Sequence, residues 1–240
     1  MKKVPLILGV IVVVFVLLGV FLNKRRVDRG NSFFSSPKSQ DCNKGPVPQF
    51  SHHITDIDNV ALIQPGGGVE KYGNQNIIKS HSYIVVNGEV PIYAPTDSVA
   101  YEGANYMEEG MEQYSVFFQI TCDVFYLFDH IHKPVDKLKS AFTREPAMDT
   151  RTYSIGPVEF FAGELIGYTT GTRNAHHFDF GLYDINEYNS YPGYENVDIS
   201  ERDRWSICPF DNFPENIKVD YTSRFGTIRS QNPIPTSVCK

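Results

Sequence analysis

Residues 175–184, AHHFDFGLYD, decide the fold because their apolar and polar side chains alternate as they do in a β-strand. Successive side chains of a strand point to opposite faces of its sheet. The apolar set must share the core face and comprises Phe178, Phe180 and Leu182. The opposite face then carries His177, Asp179 and Gly181. The stretch therefore predicts a core strand that presents chemically active groups on its other side.

Seven more short apolar or alternating runs precede this strand, each ended by turn residues. The chain has 14 Tyr and 17 Phe, and its Gly and Pro residues recur at short intervals, which favours strands and turns over helices. Strands at this density indicate a β-sandwich or barrel. In chain order the runs are NVALIQ, HSYIVV, VPIYA, YSVFFQI, VFYLF, VEFFA and ELIGYT.

One segment has a convincing helical period, IHKPVDKLKSAF at residues 131–142. A weaker pattern at residues 212–221, NFPENIKVDY, is compatible with another short helix. The glycine-rich stretch at residues 65–76, PGGGVEKYGNQN, lacks the Gly-Lys-Ser/Thr ending of a phosphate loop and is predicted to be a mobile hairpin loop. The predicted fold class is mainly β with one short helix.

An uncharged apolar run at residues 4–22 is long enough to cross a bilayer as a helix, and we interpret it as a single membrane anchor. A cleaved signal peptide is the alternative, but no small-x-small cleavage site follows the run. The predicted organisation is an anchor over 1–26, a flexible linker over 27–50, a β domain over 51–185 and an irregular C-terminal extension over 186–240.

Charge and cysteine content restrict the compartment and the partners. The net charge is −6 with no basic stripe, which argues against a nucleic acid partner. Basic residues after the anchor favour a cytoplasmic domain. Four cysteines, however, suit two disulfides in an oxidising compartment, and we predict an extracytoplasmic domain. Pairing Cys122 with Cys208 and Cys42 with Cys239 is one of three connectivities, and the sequence selects none.

Four stretches resemble the lysostaphin-type zinc metallopeptidases in their order and approximate spacing. They correspond to that family's G-T-P-V-x-A-P-x-D-G hairpin, Y-x-H-L strand, G-x-x-I-G-x-x-G turn and H-L-H-F strand. In this chain they are EVPIYAPTDSVA (89–100), VFYLFDHI (124–131), FFAGELIGYTTG (160–171) and HFDFGLY (177–183). The resemblance covers residues 60–185 and implies a small antiparallel barrel-sandwich with a duplicated hybrid motif.

The resemblance also implies roles for particular side chains. His177 and Asp179 take the places of the two histidines of the H-L-H-F strand, of which the second binds zinc and the first orients substrate and water. His130 matches the histidine of the Y-x-H-L strand. His81 matches the first residue of an upstream H-x-x-x-D ligand pair, but Val85 stands in the place of its aspartate. The implied metal ligands are therefore His81 and Asp179, and the implied catalytic histidines are His130 and His177.

The altered ligand set indicates a peptidase-like domain that does not cleave. Catalytic zinc needs three protein ligands, and valine cannot supply one. We therefore predict no cofactor, and a groove that binds a cell-envelope glycan, peptide or partner protein. The groove residues are Tyr83, His130, His177 and Asp179.

The alternative is a zinc metallopeptidase with rearranged ligands that acts on an envelope peptide. His81 and Asp179 would hold zinc, and His130 and His177 would stabilise the oxyanion or transfer a proton. A third ligand would then have to come from elsewhere in the chain, and the candidates are Asp58, His52 and His53.

Overall fold

The structure is a computed structural model, which describes residues 42–72, 75–191, 197, 199–228 and 237–239. The membrane anchor predicted over residues 4–22 lies outside these residues, as do linker residues 27–41. Within the described part, no helix is both long and apolar enough to cross a membrane.

The described residues form thirteen strands, and the strand pairs are antiparallel. All eight runs predicted from the sequence lie on strands, so the mainly β, antiparallel prediction is confirmed. The strands are β1 (Val60–Gln64), β2 (Gly68–Tyr72), β3 (Gln75–Lys79), β4 (Ser82–Val86), β5 (Val90–Tyr93), β6 (Ser98–Glu108), β7 (Met111–Gln119), β8 (Val124–Ile131), β9 (Lys133–Pro134), β10 (Tyr153–Phe160), β11 (Leu165–Thr169), β12 (His177–Asp184) and β13 (Ser206–Ile207).

The strands are arranged in three sheets. The main sheet has the order β1-β4-β12-β8-β7-β6-β10, with β13 paired to β12. A small sheet has the order β5-β11-β9, and β2 pairs with β3 as a hairpin. Residues 65–76, predicted as a hairpin loop, contribute strand residues to this hairpin. The AHHFDFGLYD stretch forms β12, which lies between β4 and β8 in the main sheet.

The helices are short, and the prediction of a single helix is wrong. The segment 131–142 contains only one helical turn, because Ile131 ends β8 and the next residues form β9 against β11. A helix also forms within the weaker pattern at 212–221. The α-helices are α1 (Asp136–Lys139), α2 (Glu201–Arg204) and α3 (Glu215–Thr222), and 3-10 turns lie at Ile57–Asn59 and Pro209–Asn212.

The hydrophobic core lies against one face of the main sheet. Phe178, Phe180 and Leu182 are all fully buried in it, as the alternation in β12 predicts. Phe180 stacks on Phe128 of the neighbouring β8, with ring centroids 4.9 Å apart. The opposite face carries a smaller apolar cluster that includes Tyr183, one residue beyond Leu182. The core strand therefore has two chemically different faces.

The folded part extends beyond the predicted limits of 51 and 185. Phe50, predicted to be linker, is fully buried, and its backbone N–H donates to the carbonyl of Asn212 at 2.7 Å. Phe210 and Tyr221, predicted to belong to an irregular extension, are also fully buried in the core. Single aromatic anchors have no period along the sequence, so the pattern that reveals strands does not reveal them.

Two disulfides connect Cys42 to Cys122 and Cys208 to Cys239. Of the three connectivities that the sequence leaves open, the structure therefore has the one that pairs Cys42 with Cys122. Cys122 lies in the turn between β7 and β8, where its backbone N–H donates to the carbonyl of Asn43 at 3.0 Å. That contact holds the start of the folded part against the turn and brings Cys42 within bonding distance of Cys122.

Candidate functional site

The candidate site lies on the face of the main sheet opposite the core, where β4 and β12 pair. His177 is opposite Val85, and Asp179 is opposite Tyr83. The Tyr83 and His177 rings pack together with centroids 4.3 Å apart. His81 precedes β4 and, at this register, reaches the same face beside Gly181.

Gly181 allows His81 to approach β12 closely. A Cβ atom at position 181 would lie 3.0 Å from the His81 Cβ and 2.8 Å from the Tyr183 hydroxyl. Both distances are shorter than ordinary van der Waals contact, so a side chain here would displace a neighbour. The glycine of the HFDFGLY stretch is therefore a packing requirement of the site.

Gly181→Ala is expected to lower the free energy of unfolding by about 1–3 kcal/mol, because the added methyl overpacks the contact with His81 and Tyr183. Urea unfolding, followed by circular dichroism, measures the loss. Gly156→Ala is the matched control, since position 156 also lies in a strand and has nothing within 4 Å of its Cβ. Equal stability of the two variants would contradict the packing argument.

A β-bulge in β8 presents His130 to the site. Between the pairs Val116–Phe128 and Tyr114–Ile131, β8 contains one residue more than β7. His130 has a φ of 65°, a left-handed conformation that residues other than glycine rarely adopt. The extra residue returns Ile131 to the core, where it is fully buried, and frees His130 from strict alternation. Thr169 of β11 donates its hydroxyl proton to the His130 carbonyl at 2.5 Å and thereby supports the bulge.

The Asp179 carboxylate is the centre of the site and is contacted by three histidines. Its Oδ1 lies 3.0 Å from Nδ1 of His177. Its Oδ2 lies 3.0 Å from Nε2 of His81 and 3.6 Å from Nε2 of His130. Asp179 is only 3% exposed, so this charge is removed from water and depends on its neighbours for compensation.

A second layer of polar groups surrounds His130. Its Nδ1 lies 2.6 Å from Oε1 of Gln113, 3.2 Å from the hydroxyl of Tyr106 and 3.4 Å from Oε2 of Glu108. Tyr106 donates to Oδ1 of Asp129 at 2.6 Å. These groups come from β6, β7 and β8, so three adjacent strands fix the position of the His130 ring.

The buried charges shift several pKa values. Burial alone would lower the pKa of His130, but the carboxylates of Asp129, Asp179 and Glu108 raise it to about 9. Burial alone would raise the pKa of Asp179, but the charges of His81 and His130 hold it well below its usual range. The His130 ring, whose Nδ1 is 3.4 Å from Oε2 of Glu108, is the main cause of a lowered pKa at Glu108. The site therefore favours a protonated His130 among ionised carboxylates.

Stability is expected to fall as the pH rises through about 9, because the pKa of His130 is raised from 6.5 in the unfolded chain to about 9. Protonated His130 contributes on the order of 3 kcal/mol to the free energy of unfolding. This contribution is fully present below pH 6.5 and is lost progressively up to pH 9. Urea unfolding at several pH values measures it. The groups that face the His130 ring are Asp129, Asp179, Glu108, Gln113 and Tyr106, with His177 beside it.

His130→Gln is the control for this pH dependence, since the amide keeps a hydrogen-bonding group but does not titrate. Between pH 7 and 9, we expect the free energy of unfolding to change much less with pH in this variant than in the unaltered protein. An equal slope in both proteins would assign the effect to other groups.

Every groove and ligand residue predicted from the sequence lies at this face: His81, Tyr83, His130, His177 and Asp179. Sequence reasoning missed Tyr106, Glu108 and Gln113, since Tyr106 and Glu108 lie on a strand that it did not predict. Of the candidate substitute ligands, both histidines have partners outside the site, and Asp58 lies in the 3-10 turn Ile57–Asn59. His53 contacts Tyr221 and Asp220, and His52 contacts Ser51.

The site residues fit a metal ion of the kind that the resemblance implies. His130, His177 and Asp179 each offer a ligand atom, and these atoms all lie within 4.8 Å of one another. Nε2 of His81 and Oε2 of Glu108 are buried without a hydrogen bond of good geometry, although each is close enough to a charged partner for an ion pair. Two imidazoles and a carboxylate are a donor set that zinc uses. When bound, zinc would supply Lewis acidity and an acidified water.

The fold and the site together define a mainly β domain with a partly buried cluster of three histidines around one buried aspartate on the outer face of its main sheet. No model of a known protein family matches the chain, and no curated protein matches it in sequence. Among solved structures, the NMR solution structure of lysostaphin is similar with a TM-score of 0.32 and 14% identity, over 76% of this chain. The match spans 60% of the lysostaphin chain.

Proposed function

We propose that this chain is a membrane-tethered, lysostaphin-type β domain that binds a cell-envelope glycan, peptide or partner protein and does not cleave it. The groove that binds the ligand is the outer face around Asp179, lined by Tyr83, His130 and His177. The tether is the apolar run at residues 4–22.

The observation that carries the proposal is the position of Val85. It lies opposite His177 in the sheet, and the sequence resemblance implies an aspartate ligand at this position. The apolar side chain of Val85 cannot bind a metal ion. Asp179, in turn, is contacted by three histidines. A set of groups that satisfy one another in this way suits recognition better than turnover.

The chemistry of the groove favours a ligand that donates hydrogen bonds. Glu108 is an acceptor in its ionised form, and its side chain is 43% exposed. The packed rings of Tyr83 and His177 supply an aromatic wall. Hydroxyl-rich sugars and peptide amides both offer donors together with an apolar face for stacking.

The disulfides support an extracytoplasmic position for the domain. The four cysteines form two bonds, and bonds of this kind persist in oxidising compartments. An envelope polymer or protein is then within reach of the groove.

Binding to purified disaccharide-peptide fragments of peptidoglycan, measured by calorimetry on the full-length chain in detergent, tests the proposal. We expect saturable binding that is lost in His177→Ala and kept in His176→Ala, which changes the exposed neighbour. Mass spectrometry of the same mixture should show intact fragments. Absence of binding would exclude peptidoglycan fragments as the ligand, and cleavage would favour the alternative of a zinc metallopeptidase with rearranged ligands.

A further inference from the structure

We infer that the outer-face cluster is a transition-metal site whose protein ligands are His130, His177 and Asp179. This set differs from the pair His81 and Asp179 that the sequence resemblance implies. The inference uses the same groove as the proposed function, but it requires neither the envelope ligand nor the absence of cleavage.

The spacing of the donor atoms suits one small cation. Nδ1 of His177 is 3.0 Å from one Asp179 oxygen, and Nε2 of His130 is 3.6 Å from the other. Zinc lies about 2.0–2.1 Å from nitrogen and oxygen ligands, which places tetrahedral neighbours about 3.3 Å apart. The two observed distances involve different oxygens of the carboxylate and lie on either side of this value, and the ligand atoms of all three residues lie within 4.8 Å of one another.

The second layer orients the ligands for this role. Oε1 of Gln113 can only accept, so Nδ1 of His130 donates to it at 2.6 Å. When a cation displaces the Nε2 proton, His130 keeps its proton on Nδ1 and turns the Nε2 lone pair towards Asp179. Outer contacts of this kind set the tautomer and ring orientation of metal-binding histidines.

His81 belongs to the outer layer in this arrangement. Its Nε2 lies 3.0 Å from Oδ2 of Asp179, but His81 is not among the residues whose ligand atoms all lie within 4.8 Å of one another. It therefore holds the carboxylate and does not complete the ligand set. This explains how the site accommodates Val85, because the ligands come from β8 and β12 and none is needed from β4.

The β-bulge makes this ligand set available. In a regular strand His130 would point to the core, like Phe128 two residues before it. The bulge turns His130 towards Asp179 in a left-handed conformation that carries a conformational cost. A strained ligand position beside a buried carboxylate is consistent with a preorganised site.

The donor types restrict the metal. Magnesium and calcium prefer sets made of oxygen, whereas two imidazoles and one carboxylate suit zinc and neighbouring divalent transition metals. Zinc itself is therefore the probe.

The test is a zinc titration of the full-length chain in detergent, stripped with chelator and measured by competition with a chromophoric chelator. We expect one zinc per chain in the unaltered protein and in His52→Ala, an exposed histidine outside the site. His130→Gln, His177→Gln and Asp179→Asn should lose stoichiometric binding. His81→Ala should keep it with an affinity reduced by about 10-fold, as for an outer-layer contact. Absence of zinc in the unaltered protein, or loss in His81→Ala with retention in His130→Gln, would overturn the inference.

A second readout needs no substitution and so does not depend on the variants folding. In ¹⁵N-histidine spectra of the unaltered chain, zinc should shift one ring nitrogen each of His130 and His177 to the metal-bound range. Metal-type shifts at His81 but not at His130 would contradict the ligand assignment. Fragment binding that persists in chelator, without any zinc uptake, would reject this inference and leave the proposed function standing.

Discussion

Asp179→Asn is expected to lower the free energy of unfolding by about 3 kcal/mol, because it removes the one negative charge that all three site histidines contact. Asparagine keeps the size of the side chain but presents an N–H group to neighbours that need an acceptor. The buried position leaves little room for water to compensate. Urea unfolding of the full-length chain, followed by circular dichroism, gives the difference.

Asp184→Asn is the matched control for this substitution. Asp184 ends the same strand, and its Oδ1 accepts only from the backbone N–H and side-chain amide of Asn186, at 2.9 and 3.0 Å. The asparagine oxygen can make the same bonds, so the change should be within about 0.5 kcal/mol. A loss below about 1 kcal/mol for Asp179→Asn would mean that the carboxylate does not organise the cluster.

Removing the Cys42–Cys122 disulfide by replacing both residues with serine should cost about 4–5 kcal/mol, because the bond closes a loop with a sequence separation of 80. The Cys208–Cys239 disulfide has a separation of 31, and its removal should cost about 3–4 kcal/mol. Longer loops lose more entropy on closure in the unfolded chain, which sets this order.

The two double-serine variants serve as controls for each other, and the unaltered chain in strong reductant should be less stable than either. Urea unfolding under identical conditions measures all three. No loss of stability in reductant would contradict a structural role for these bonds and weaken the argument for an oxidising compartment.

The alternation of apolar and polar residues was enough to predict the strands with clear patterns. It failed for β6, whose sequence SVAYEGANYME has no sustained period. This strand is paired on both sides, with β7 and β10, so its place is determined by neighbours and not by its own pattern. Without a pattern that predicts β6, Tyr106 and Glu108 cannot be assigned to the site from the sequence.

The β12 part of the site was predictable because alternation alone puts His177 and Asp179 on one face. The exact position of His130 was not predictable, since it depends on the bulge in β8, and the local sequence FDHI does not specify an extra residue. The apolar spacing at 131–142 suggested a helix for a similar reason. An apolar residue such as Ile131 can be buried in either a strand or a helix. Its pairing with Tyr114 of β7 places it in a strand.

Ring ¹⁵N shifts of the selectively labelled histidines, compared between the unaltered chain and Asp179→Asn in chelator, test most directly the claim that Asp179 organises this face. Each of the seven histidines gives its own signals, which single substitutions assign. We expect large changes at His81, His130 and His177 together, with His52 and His176 unchanged. A change confined to His177, the neighbour of Asp179 on its own strand, would contradict it.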